Sequence, residues 1–121
     1  MKNKIIYWAT TGLIAAMMLM SGFSYFTNPE VAAGIEGMGF QDYFRLELGV
    51  AKVLGALVLL LPMIPTRIRE WAFAGFSITF ISAFIAHLAT GDAISIAIFP
   101  LIALAILSVS HFYYYKTYGA A

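Results

Sequence analysis

Four apolar stretches, roughly 5–26, 46–64, 71–89 and 94–113, take up most of the 121 residues and leave little chain for anything but the turns between them. Each is close to the ~20 residues a helix needs to cross a hydrocarbon core at ~1.5 Å per residue. The pattern predicts an all-α fold: a polytopic membrane protein, one transmembrane domain over residues 1–121, built as an antiparallel four-helix bundle. Hydrophobic residues make up 62% and charged residues 11%, against about 45–50% and about 25% in a soluble domain. A small water-soluble chain could not hide that much apolar surface. The net charge of +1, with scattered bases, offers nothing to nucleic acid. The absence of cysteine excludes thiolate catalysis, disulfide exchange, Cys-ligated zinc and iron–sulfur clusters.

The basic residues set the expected orientation. Lys2 and Lys4 precede the first stretch, Arg67 and Arg69 lie between the second and third, and Lys116 follows the fourth. With alternating spans all of them fall on one side, which the positive-inside rule makes cytoplasmic, so both termini are expected there. Glu30, Glu36, Asp42 and Asp92 fall on the other side, with Arg45 the only base near them. The first stretch is read as a retained span, because it exceeds the ~7–15 apolar residues of a signal peptide core. Arg67, Arg69 and Trp71, together with Lys2, Lys4 and Lys116, are read as anchors at the headgroups. His111 and Tyr113, Tyr114 and Tyr115 are read as an aromatic belt.

Punctuation gives the remaining boundaries. Asn28-Pro29 has the form of a helix cap followed by a first-turn proline, so residues 28–44 hold a short outer-side helix or loop that Gly34, Gly37 and Gly39 end quickly. Asp42 and Thr66 are candidate caps for the next two helices. Pro62 and Pro65 close the second span, and Thr90-Gly91-Asp92 forms a tight outer turn. Membrane helices meet through small residues. In the third stretch Ala72, Gly75, Thr79, Ser82, Ala86 and Thr90 mark the expected packing face, and Phe73, Phe76, Ile78, Phe80, Ile81, Phe84 and Ile85 the lipid face. Gly49, Lys52, Gly55 and Ala56 give the second stretch a similar stripe, as Gly12, Ala15, Ala16 and Gly22 do the first.

Lys52 is the residue that most needs explaining. It lies seven positions beyond Arg45, ~10 Å into the span at helical rise. A lysine near the centre of a span costs about 2.5–3.5 kcal/mol. It either snorkels to the outer headgroups or is paired or faces a ligand, with Glu47 the first partner to consider. His87 lies near the same end, either bonded to a backbone carbonyl or water, or turned toward Lys52. Ser21, Ser24 and Tyr25 share this depth. Together they outline an outer-leaflet polar pocket with an apolar floor, the usual make-up of a small-molecule site. No catalytic residue stands out. No metal site is expected, since the two histidines lie at opposite ends and no carboxylate is spaced to join either.

The chain resembles the DoxX-like family of small four-helix membrane proteins. The likeness rests on Leu48-Gly49-Val50-Ala51-Lys52-Val53-Leu54-Gly55-Ala56 and Glu70-Trp71-Ala72-Phe73-Ala74-Gly75-Phe76, with Ser21-Gly22, Gly39-Phe40, Pro62, His87, Asp92 and Pro100 in matching order. The resemblance implies a bacterial cytoplasmic membrane and an accessory role in redox systems, including quinone-linked sulfur oxidation, or in oxidative-stress defence. Other relatives resemble assembly factors. One branch is associated with disulfide chemistry, which cannot transfer to a chain without cysteine. Glu47, Lys52, Glu70 and His87 carry over only as matching positions.

The expected function is therefore an accessory membrane protein that binds a small lipophilic ligand, with a quinone as the candidate, at Lys52 and His87. Tyr25 and Phe84 would pack on the ring. It would hold no cofactor of its own and would not be an enzyme by itself; its partners would be a membrane redox subunit or further copies of the chain. The alternative is a scaffold or assembly factor with no small ligand. A proton-coupled cation exporter is disfavoured because the first span carries no acid.

Overall fold

The computed structural model describes residues 2–118, and among these every regular element is a helix. There are five: α1 (Lys2–Thr27), α2 (Pro29–Gly37), α3 (Asp42–Leu60), α4 (Thr66–Ala89) and α5 (Ile94–Tyr118). The four long helices touch in a ring, α1 on α3, α3 on α4, α4 on α5 and α5 back on α1, while short α2 rests against α1 and α3. Three of them, α1, α4 and α5, are long and apolar enough to cross a membrane. Helix α3 is not in that set: within its 19 residues it carries Asp42, Arg45, Glu47 and Lys52.

Asn28 caps α2 as its sequence predicts, its side chain accepting from the Glu30 backbone N–H at 2.9 Å with Pro29 in the first turn. Gly34 lies inside α2 without ending it. The chain turns at Gly39, where φ is +94° and a side chain would be strained. The other two expected caps are displaced. Asp42 is the first residue of α3 and pairs with Arg45 at 3.8 Å. Thr66 is the first residue of α4, and its hydroxyl meets the Tyr114 hydroxyl at 2.6 Å instead of a helix N–H. Helix α3 thus runs 42–60 rather than 46–64, because the acidic residue at its start is helical and Pro62 stops it early. Helix α4 begins five residues before its apolar stretch, and one before the start a Thr66 cap would give.

Backbone proximity between α1 and α3 comes from two glycines. A Cβ on Gly22 would stand 2.9 Å from the Gly49 carbonyl oxygen, and one on Gly49 would meet the Phe26 ring at 2.9 Å. Further along, a Cβ on Gly55 would stand 2.7 Å from the Phe76 ring. The expected orientation of α4 is corrected in part: Ile78, Ile81 and Ile85 are exposed as read, but three of the phenylalanines are not. Phe73, Phe76 and Phe80 are buried, whereas Gly75 has open space around it. The reason is complementary size: Gly55 on α3 leaves room to seat the Phe76 ring, while Phe73 packs against His111 and Tyr114 of α5. The aromatic side buries more contact area, and the small side of α4 is left to border open space.

The first turns of α1 and the last turns of α5 are joined by polar contacts. Thr11 and Ser110 hydroxyls meet at 2.6 Å in the interior, and Trp8 Nε1 donates to the Tyr118 hydroxyl at 2.9 Å. Tyr7 is fully buried against Tyr114, ring centroids 5.5 Å apart. Tyr114, expected in an interfacial belt, is a core residue.

Adding a methyl group at Gly55 should therefore force Phe76 to move. Gly55→Ala is expected to cost about 1–3 kcal/mol of unfolding free energy in detergent, the usual cost of overpacking. In a Phe76→Ala background that cost should disappear. An equal loss in both backgrounds would show that the ring does not set the spacing.

Candidate functional site

Lys52 follows Gly49 by three residues, so the close approach of α1 and α3 turns it against α1. Its Nζ donates to Ser21 Oγ at 2.9 Å and to the Tyr25 hydroxyl at 2.7 Å, and lies 4.2 Å from the Tyr25 ring centroid. The side chain is held inside the protein: Lys52 is 7% exposed. It is anchored by hydroxyls and a π face, and Glu47, the partner the sequence suggested, is exposed and bonds nothing in the site. An ammonium carries three donors, and only two have partners among the described residues.

A cavity of about 780 Å³ opens beside Lys52, within the ~300–1,000 Å³ typical of ligand sites. Tyr25, Leu48 and Lys52 form one wall. Val31 and Ile35 of α2, Met38 just after it and the stacked pair Phe40 and Phe44, 4.6 Å apart, form a second. The third is the small face of α4, with Thr79, Ser82, Ala86 and His87. The residues expected to pack against another helix make room here.

His87 is placed by the turn after α4. Gly91 takes φ +79°, the Asp92 backbone N–H donates to the His87 carbonyl at 2.9 Å, and Asp92 Oδ2 comes 2.6 Å from His87 Nδ1. The imidazole is thus paired through Nδ1 with a carboxylate that the sequence reading overlooked, and not with Lys52. Both residues border the cavity. With Nδ1 engaged, Nε2 is left to accept a hydrogen bond when the ring is neutral, or to donate one when it is protonated. Of the other candidates, Tyr25 borders the cavity and Ser21 holds Lys52. Ser24 bonds back to the Ser21 carbonyl at 2.7 Å and, like Phe84, lies outside the lining.

The largest departure concerns Arg69. Expected at the headgroups, it is 3% exposed, donating to the Leu59 carbonyl at 2.9 Å, to the Leu61 carbonyl and to the Tyr7 hydroxyl at 3.3 Å. It satisfies the last carbonyls of α3, where the helix dipole also favours a cation. Arg45 does the same for α1 through the Tyr25 carbonyl. A signal for Arg69 was present: 69, 73, 76 and 80 share one helical face, and the other three are phenylalanines. Lys2, Lys4, Arg67, Trp71 and Lys116 are exposed, and Lys116 Nζ stands 4.9 Å over the Phe112 ring. His111 meets the Glu70 carboxylate at 2.8 Å, so this histidine too has an acid partner that spacing did not reveal. Among the described residues no group of three or more histidines and carboxylates could hold a metal ion.

Residues 9–110 match the model of the DoxX-like family, a span that contains every residue lining the cavity. The chain belongs to this family. No curated protein and no solved structure matches it. With membership and three membrane-length apolar helices together, this DoxX-like chain is a membrane protein that associates with the lipid bilayer.

Removing the Arg69 guanidinium strands buried acceptors. Arg69→Met is expected to destabilise the protein by about 1–3 kcal/mol for each carbonyl left unpartnered. Arg69→Lys should recover little, because a point-like ammonium cannot reproduce the planar fork. Chemical unfolding in mild detergent checks this; full recovery by lysine would show that only the charge matters.

Proposed function

We propose that the protein binds a small lipophilic ligand with hydrogen-bonding oxygens, a quinone being the best fit, in the cavity between Lys52 and the His87–Asp92 pair. The carrying observation is a nine-tenths-buried lysine with an unused donor beside an apolar cavity of about 780 Å³. Lys52 would donate to one carbonyl oxygen of the ring. His87 Nε2 would meet the other side, donating to a carbonyl or accepting from a hydroxyl, so that oxidised and reduced forms could both be held. Tyr25 and the Phe40–Phe44 stack would flank the ring. The protein would serve a separate membrane redox or oxidative-stress partner that supplies electrons, with no cofactor or catalysis of its own.

In this reading all four long helices cross the bilayer in alternation as one antiparallel transmembrane domain. The short length of the links supports it, and so does the burial of Lys52, which removes the most costly charge of α3 from lipid. The charge distribution supports a cytoplasmic side for both termini, and with it an outer-leaflet cavity, while a bacterial cell is what the family resemblance implies. A chain without cysteine makes the test direct. Lys4→Cys and Lys116→Cys should react with an impermeant maleimide only after the membrane is opened, and Glu36→Cys in intact cells. Labelling of all three in intact cells would sink this topology.

Lys52→Met tests the site. Loss of a charged hydrogen bond of about 1.5–3 kcal/mol predicts roughly 10–100-fold weaker binding of a tail-less benzoquinone. Thermal stability should hold or rise, since an apolar chain of similar length replaces a buried charge. Native mass spectrometry of gently extracted protein gives the complementary view. A retained quinone that disappears in Lys52→Met supports the site. A co-purifying subunit with no small ligand, unchanged by the substitution, points to the scaffold role instead.

A further inference from the structure

The cavity does not end at Lys52. A furrow of about 290 Å³ runs on between α3 and α4, and Leu48, Lys52 and Thr79 border both spaces. Its walls are almost entirely carbon, with Ala51, Gly55 and Val58 on α3 facing Ala72, Gly75 and Trp71 on α4. The Thr79 hydroxyl is bonded to the Gly75 carbonyl at 2.8 Å, so it is already satisfied within its own helix. The furrow exists because α3 and α4 meet more loosely than the other long neighbours. Phe76, seated on Gly55, sets their spacing, and nothing lies within 4 Å of where a Gly75 side chain would start. From Thr79 to Ile68 the furrow follows eleven residues of α4, ~16 Å at helical rise.

A mainly apolar chamber that carries a few polar groups, joined at a buried cation to a long carbon-lined slot, has the shape of an amphiphile. We infer that the ligand carries a long apolar tail, that its oxygen-bearing head sits at Lys52, and that the tail lies in the α3–α4 furrow with its far end near Trp71. This rests on the head site proposed above and narrows its occupant to a ring or headgroup with a long chain attached. A prenylated quinone and a membrane lipid both have that chemistry; the prenylated quinone is the one that also suits the ring-flanking aromatics.

Gly75→Leu separates the tail from the head. The new side chain points into open space, and leucine is the better helix former, so folding should be intact and checkable by thermal melting. Binding would be measured in detergent for a tail-less dimethoxybenzoquinone and for the same ring with a prenyl tail. In the unsubstituted protein the tailed form should bind at least tenfold more tightly. In Gly75→Leu the tail-less form should bind within twofold of its original affinity, while the advantage of the tail falls to threefold or less. An advantage that survives Gly75→Leu unchanged overturns the furrow assignment and leaves the head site standing. Failure of both quinones to bind the unsubstituted protein overturns head and tail together. A diacyl phospholipid that displaces the prenylated quinone at equal concentration overturns the quinone as occupant.

Discussion

Two glycines facing each other across α1 and α3 hold the rest of the molecule in place. With no Cβ on Gly22 or Gly49, backbone meets backbone, and the neighbours of those glycines are brought within hydrogen-bonding reach. Ser21 and Tyr25 on one helix and Lys52 on the other then find each other without long side-chain excursions. A lysine in a membrane helix costs free energy unless its donors are met. Here the same steric feature that lets the helices pack also provides the partners.

Arg45, Lys52 and Arg69 are drawn inward and given partners, while Lys2, Lys4, Arg67 and Lys116 stay exposed. Arg45 and Arg69 each take up carbonyls at the end of another helix, α1 and α3 respectively. Each histidine near a helix end meets a carboxylate. Helix ends are where backbone acceptors go unmatched, and lipid offers no water to match them. An arginine from the next helix answers that need and fixes the register between the two elements.

Much of this was legible in the sequence, and the rest was hidden for identifiable reasons. Hydropathy gave the long helices, and Asn28-Pro29 and Thr90-Gly91-Asp92 gave two of the turns. Lys52 announced itself, as did Tyr25 and Ser21 at matching depth. The orientation of α4 was misjudged because a small stripe and an aromatic stripe are both credible packing faces. Only the neighbour's size decides between them, and that neighbour, Gly55, lies on another helix. Arg69 was misplaced for a related reason: a charge-counting rule locates the side of the membrane, not the depth of a side chain. The Asp92–His87 and Glu70–His111 pairs join residues on a turn or on separate helices, so fixed-spacing motifs do not reveal them.

The junction between the first and last helices has a consequence for how the chain is made. Thr11 and Ser110 are 99 positions apart in sequence, and Trp8 and Tyr118 are 110 apart, yet each pair is in hydrogen-bond contact. At ribosomal rates of about 5–20 residues per second, the first helix waits on the order of 5–20 s for its last neighbour. During that interval the hydroxyl of Thr11 and the ring of Tyr7 have no α5 to cover them. Until α5 is made, the ring lacks the helix that joins α4 to α1, and α3 contacts α1 without covering the face that α5 takes. Closure of the ring waits on α5, which makes that helix its keystone.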